Sequence, residues 1–60
     1  MNENIEFLTV EQVSKALQIH WQTTLNYIKA KKIKAIKIGN GYRIARADLM
    51  DFIKKQSTDN

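Results

Sequence analysis

Gln22, Asn26 and Lys29 are four and three residues apart, so a helix through W-Q-T-T-L-N-Y-I-K carries all three on one face. Two amides and an ammonium offer recognition rather than bond-making. Asn and Gln can each hydrogen-bond adenine N6 and N7 as a bidentate pair. Lys29, nearer the helix end, can reach a phosphate. Trp21 and Leu25 flank this face, while Thr24, Tyr27 and Ile28 fall on the opposite side. The same pattern also suits a face that is simply solvated, because helix-turn-helix packing occurs in proteins that bind no DNA.

The other residue types with chemical capacity do not assemble. His20 is the only histidine and there is no cysteine, so disulfides and thiolate metal sites are excluded. No second histidine or carboxylate cluster completes a metal site around His20. A turn or capping role suits it better than proton transfer. No nucleophile–base pair or phosphate-cradling loop is present, so neither an enzyme nor a cofactor is expected. Trp21 has three open readings: contact with a DNA sugar or thymine methyl, contact with another protein molecule, or ordinary packing.

The charge distribution favours a polyanionic partner. The 60 residues carry a formal net charge of +4 and the pI is about 9.6. Residues 1–14 contain Glu3, Glu6 and Glu11 and no base. From Lys15 to Arg46 the bases are Lys15, Lys29, Lys31, Lys32, Lys34, Lys37, Arg43 and Arg46, with no acid among them. Such a segment attracts phosphate strongly at low salt, although a lysine-rich surface also serves solubility alone. The acidic start M-N-E-N-I-E is unlike a signal peptide and no apolar run approaches membrane-spanning length, which predicts a soluble cytoplasmic protein with no membrane partner.

The elements that must position the polar face follow from local signals. This length allows one small domain with one modest core. Residues 1–6 are expected to form a flexible N-terminus, 7–55 the domain and 56–60 a flexible tail. Thr9 and Gln12 form a capping box, so a helix starts at Val10. Val10, Val13, Ala16 and Leu17 make its buried stripe, while Ser14 and Lys15 face water. Leu8 staples the first turn or adds an extended segment beside the later hairpin. Ile19 plugs the corner, His20 caps, and a second helix starts near Trp21, closed by Lys31 and Lys32 without a glycine. Isoleucine-rich runs then flank Asn40-Gly41, a strong hairpin signal that pairs Gly39 with Tyr42 and Ile38 with Arg43. Ile36, Ile38, Tyr42 and Ile44 are its candidate apolar contacts. Leu49, Phe52 and Ile53 define a third amphipathic helix that seals the core, preceded by Ala45 where a better cap would be Ser or Thr.

The order is helix, turn, helix, hairpin, helix: a mainly α fold with a small β-hairpin. It resembles the small winged helix-turn-helix domains of the excisionase family, relatives of the MerR-type DNA-binding domain. The resemblance covers residues 8–53. It rests on L-T-V-E-Q-V, on L-Q-I-H-W-Q-T-T-L-N-Y-I-K, and on I-K-A-I-K-I-G-N-G-Y-R-I leading into R-A-D-L-M-D-F-I. It implies that the second helix enters the major groove and the hairpin lies as a wing on flanking backbone or minor groove. The expected contacts are then Trp21, Gln22, Thr23, Leu25, Asn26 and Lys29 on the helix, with Lys37, Asn40, Gly41 and Arg43 on the wing. Such domains often carry glycine where Gln18 stands, Ser where His20 stands, and arginine where Trp21 and Asn26 stand. The implied role is a recombination-directionality factor that bends DNA, or a small transcriptional regulator. It would be a monomer in solution that gains on double-stranded DNA from neighbouring copies or a recombinase. The alternative is a protein-interaction module using Trp21 and Leu25 as its apolar anchor.

Overall fold

The capping box read from Thr9 and Gln12 is formed in both directions. In the computed structural model, which describes residues 6–56, Thr9 Oγ1 accepts the Gln12 N–H at 3.0 Å. Gln12 Oε1 accepts the Thr9 N–H at 2.9 Å. Two otherwise orphaned donors are thereby satisfied, and helix α1 runs Val10–Leu17. Val13 is fully buried, and Val10 and Leu17 pack on the core. Two positions differ from the sequence reading: Ala16 is exposed and Ser14 is buried. The buried arc centres between Leu17 and Val10, which takes in Ser14 and leaves Ala16 outside at 100° per residue.

Both helices of the pair end in the same way, without glycine. Gln18 adopts φ +58°; its N–H donates to Lys15 O at 3.1 Å and the Ile19 N–H donates to Ser14 O at 2.9 Å. Helix α2 spans Trp21–Lys29, with His20 Nδ1 accepting the Gln22 N–H at 3.1 Å as its cap. It stops short of Lys31 and Lys32, where the sequence pattern places its close. Lys31 takes φ +65°, its N–H donates to Ile28 O at 3.0 Å, and the Lys32 N–H donates to Tyr27 O at 2.8 Å. This is a Schellman turn with lysine in the left-handed position. It delivers Ile33, 1% exposed, into the core.

The extended segment foreseen at Leu8 exists as β1, Phe7–Thr9. With β2, Ile36–Ile38, and β3, Gly41–Ala45, it makes an antiparallel sheet in the order β1-β3-β2. The hairpin register differs from expectation: Ile36 pairs with Arg43, Lys37 with Tyr42 and Ile38 with Gly41. The loop is therefore Gly39-Asn40, not Asn40-Gly41. An Asn-Gly loop of type I′ needs positive φ at both central residues, whereas here only the first, Gly39 at +58°, has it. The slip is two residues along β3, so the faces keep their parity. Leu8 pairs with Ile44, and Tyr42 shares their side, packed on the core. Ile36 and Ile38 lie on the other side with Arg43, about half exposed at 50% and 54%, rather than joining Tyr42 and Ile44.

Strand β3 runs directly into helix α3, Arg46–Gln56. The Arg46 N–H donates to Glu6 O at 2.9 Å, so the backbone just before β1 supplies what a capping side chain would. Leu49 and Phe52 are buried, but Ile53 is 38% exposed and does not join the seal. The buried arc of α3 leans toward half-buried Asp48, which carries Ile53 outward. Val13, Ile28, Ile33, Ile44, Leu49 and Phe52 form the core. The flexible ends expected at 1–6 and 56–60 lie, apart from Glu6 and Gln56, outside the described residues. Among those residues no helix is long and apolar enough to cross a membrane.

Candidate nucleic-acid interface

Helix α2 is fixed to α1 by a polar contact in the core. Ser14 Oγ donates to Val10 O at 2.7 Å and lies 2.7 Å from Thr24 Oγ1. A serine hydroxyl has one proton, so the Thr24 hydroxyl donates to Ser14. Thr24 is 0% and Ser14 5% exposed. Both hydroxyls are thus satisfied away from water. Tyr27 and Ile28 flank Thr24 on this inner side, and the Tyr27 ring lies 5.3 Å from that of Phe52. The opposite face of α2 is consequently held outward.

That outward face carries Trp21, Gln22, Asn26 and Lys29, all exposed, with Thr23 and Leu25 half-buried at its margins. Gln22 Nε2 donates to Asn26 Oδ1 at 3.3 Å. The bond leaves Gln22 Oε1 as an acceptor and the Asn26 amide hydrogens as donors, side by side. Trp21 is 52% exposed and its ring lies 5.5 Å from the His20 imidazole at 30°. Because His20 Nδ1 accepts the Gln22 N–H, the cap uses an unprotonated nitrogen. No acid occupies the first turn of α2.

The wing residues do not converge in the same way. Lys37 pairs with Tyr42 and Arg43 with Ile36, so the two cations lie on opposite sides of the ribbon. Arg43 is half-buried, and its Nη1 donates to Tyr42 O at 3.0 Å. Asn40 is at the exposed tip; Gly41 belongs to β3 rather than to the loop. Lys31 and Lys34 are not among the contacts expected from sequence. They border an open cleft of about 550 Å³ between the end of α2 and the sheet. The charge run contains them, but only the left-handed turn at Lys31 brings them to one rim. Among the described residues the ion pairs are Arg46–Glu6 and Lys55–Asp51, so the cations of α2, the following loop and the hairpin have no described carboxylate within 4 Å. No group of three His, Cys, Asp or Glu among the described residues is placed to hold a metal ion.

A two-helix unit with an exposed polar second helix, followed by a hairpin and a sealing helix, is a winged helix-turn-helix. A family profile described as a helix-turn-helix domain matches residues 7–57, nearly the whole chain. The chain belongs to this excisionase-like helix-turn-helix family. No curated protein and no solved structure gives a significant match. Membership makes the protein a small DNA-binding helix-turn-helix domain, and double-stranded DNA its partner.

Proposed function

We propose that the protein is a sequence-preferring double-stranded DNA-binding factor that reads the major groove with α2. It serves as an excisionase-like accessory factor in recombination or as a small transcriptional regulator. The observation that carries this reading is the coupled amide pair on the exposed face of α2. Gln22 Oε1 and the Asn26 amide present an acceptor beside donors, the complement of the adenine N6 donor and N7 acceptor. Trp21, Thr23 and Leu25 border the pair, and Lys29 approaches the flanking phosphate. Lys37, Asn40, Gly41 and Arg43 serve the wing's contact with flanking backbone. The fold holds this reading head through the Ser14–Thr24 hydroxyl pair, so no dimer is needed to orient it. The cytoplasm is the compartment such a role requires.

The test compares a selected duplex with a random one across a salt series. Gln22→Ala and Asn26→Ala should each cost about 1–3 kcal/mol on the selected site and leave random-sequence binding nearly unchanged. The Lys29→Ala/Lys37→Ala/Arg43→Ala variant should lower the slope of log affinity against log salt by roughly one unit for each phosphate that is no longer neutralised. If the amide variants bind the selected site as tightly as the parent, α2 is not the reading head. The exposed Trp21 beside Leu25 supports the second reading, a protein contact. Trp21→Ala would then abolish cooperative loading of tandem sites and spare a single site.

A further inference from the structure

The cleft beside the C-terminal end of α2 has a chemistry that phosphate binding does not account for. Lys29, Lys31 and Lys34 line it together with the apolar Ala35 and Tyr42 and the edges of the buried Ile28 and Ile33. A DNA backbone satisfies the lysines but offers the apolar lining only the edges of its sugars. Asp48 stands on the α3 side and is the one acid lining the cleft. The lining thus carries three cations against one acid, and no carboxylate lies within 4 Å of those three lysines among the described residues. The volume, about 550 Å³, accommodates one or two side chains, and the cleft is open rather than enclosed. An open cleft suits a chain segment that continues beyond it, whereas small ligands are mostly engulfed.

We propose that this cleft docks an acidic peptide segment of a protein partner. One apolar side chain seats on Ala35 and Tyr42, and neighbouring carboxylates face Lys29, Lys31 and Lys34. The partner's residue nearest Asp48 is uncharged or basic. Since Lys29 also belongs to the DNA-reading face, peptide and duplex compete for it, and the partner displaces or weakens DNA binding. The proposal itself stands on the cleft's own charge and apolar lining and holds even if α2 is not the base reader.

The probe is a synthetic octapeptide of glutamates with one central phenylalanine, titrated into the full chain and followed by amide chemical shifts. A second peptide replaces the phenylalanine with serine, and a short random duplex is titrated separately. The expected result is saturable binding with the largest shifts at Ile33, Ala35, Ile36 and Tyr42, weakened about tenfold or more in the serine peptide. Lys34→Glu, at an exposed position, should weaken the phenylalanine peptide while the variant's own spectrum remains that of a folded chain. Equal binding of the two peptides would reduce the effect to charge attraction and overturn the proposal. So would shifts centred on Trp21 and Leu25, no binding at millimolar peptide, or a duplex that perturbs the apolar lining as the phenylalanine peptide does.

Discussion

The helix pair and the sheet of this small domain are held together by different means. Helices α1 and α2 are joined through a buried hydroxyl pair, Ser14 and Thr24, and each begins on a side-chain cap, at Thr9 and His20. The sheet has one packed side, with Leu8, Tyr42 and Ile44, and one side where Phe7, Ile36 and Ile38 are 42%, 50% and 54% exposed. Polar groups inside fix direction, because their hydrogen bonds tolerate little rotation. Apolar contact fixes only proximity. The contrast places orientational precision under α2, which presents Gln22 and Asn26, and leaves the sheet's outer side adaptable.

The largest effect that tests this contrast is Phe52→Ala. Phe52 is 8% exposed and its ring meets Tyr27 of α2 at 5.3 Å, so it ties the sealing helix to the reading helix. Loss of so large a core side chain costs about 3–5 kcal/mol. A domain of this size has little more than that to lose. Thermal melting should find the variant largely unfolded at room temperature. On the sheet's outer side, Ile38→Thr should stay within about 0.5 kcal/mol of the parent. Comparable destabilisation by both variants would mean that the outer side is not free.

The next effect isolates the hydroxyl pair. Ser14→Ala leaves the buried Thr24 hydroxyl without its acceptor and should cost about 1–3 kcal/mol. Thr24→Val should cost less, because Ser14 keeps its bond to Val10 O at 2.7 Å. Urea titrations of the two variants and the double variant measure the coupling. Equal destabilisation by the two single variants would show that Thr24 finds another acceptor, and that the pair does not set the helix angle. Selected-site affinity should follow the same order, since tilting α2 displaces Gln22 and Asn26 together.

What is legible in the sequence divides along the same line. Caps, helix starts and the outward face of α2 can be read because they depend on local spacing: Thr9 with Gln12, His20 before Trp21, Gln22 with Asn26. The misreadings concern how an element is rotated or shifted against its neighbours, or where it stops. Periodicity alone puts Ser14 in water and Ala16 in the core, because it fixes a stripe's width better than its centre. Ile53 turns outward on α3 for the same reason. The hairpin slips because Gly39 and Gly41 both flank Asn40, and only the backbone decides which glycine takes positive φ. The lysine rim of the cleft is invisible in the sequence because it depends on a left-handed lysine that no pattern announces.

The smallest effect concerns those left-handed positions, where the two regions again differ. The hairpin gives its positive φ to Gly39, whereas the helix ends give theirs to Gln18 and Lys31. A side chain in that region costs roughly 1–2 kcal/mol through the clash of Cβ with the following carbonyl. Replacing it by glycine recovers this but frees the unfolded chain, which takes back about 0.4–1 kcal/mol. Gln18→Gly should therefore stabilise by about 0.5–1 kcal/mol, a rise in Tm of roughly 2–8 °C at this size. Gln18 is exposed, so little packing is forfeited. Gly39→Ala meets no atom within 4 Å, yet it should destabilise by about 1 kcal/mol from φ alone. Melting curves of the two variants should move in opposite directions. A lowered Tm for Gln18→Gly would mean that the glutamine side chain stiffens the α1–α2 turn by more than its backbone strain costs. The helix pair would then owe its rigidity to that corner as well as to the hydroxyls beneath it.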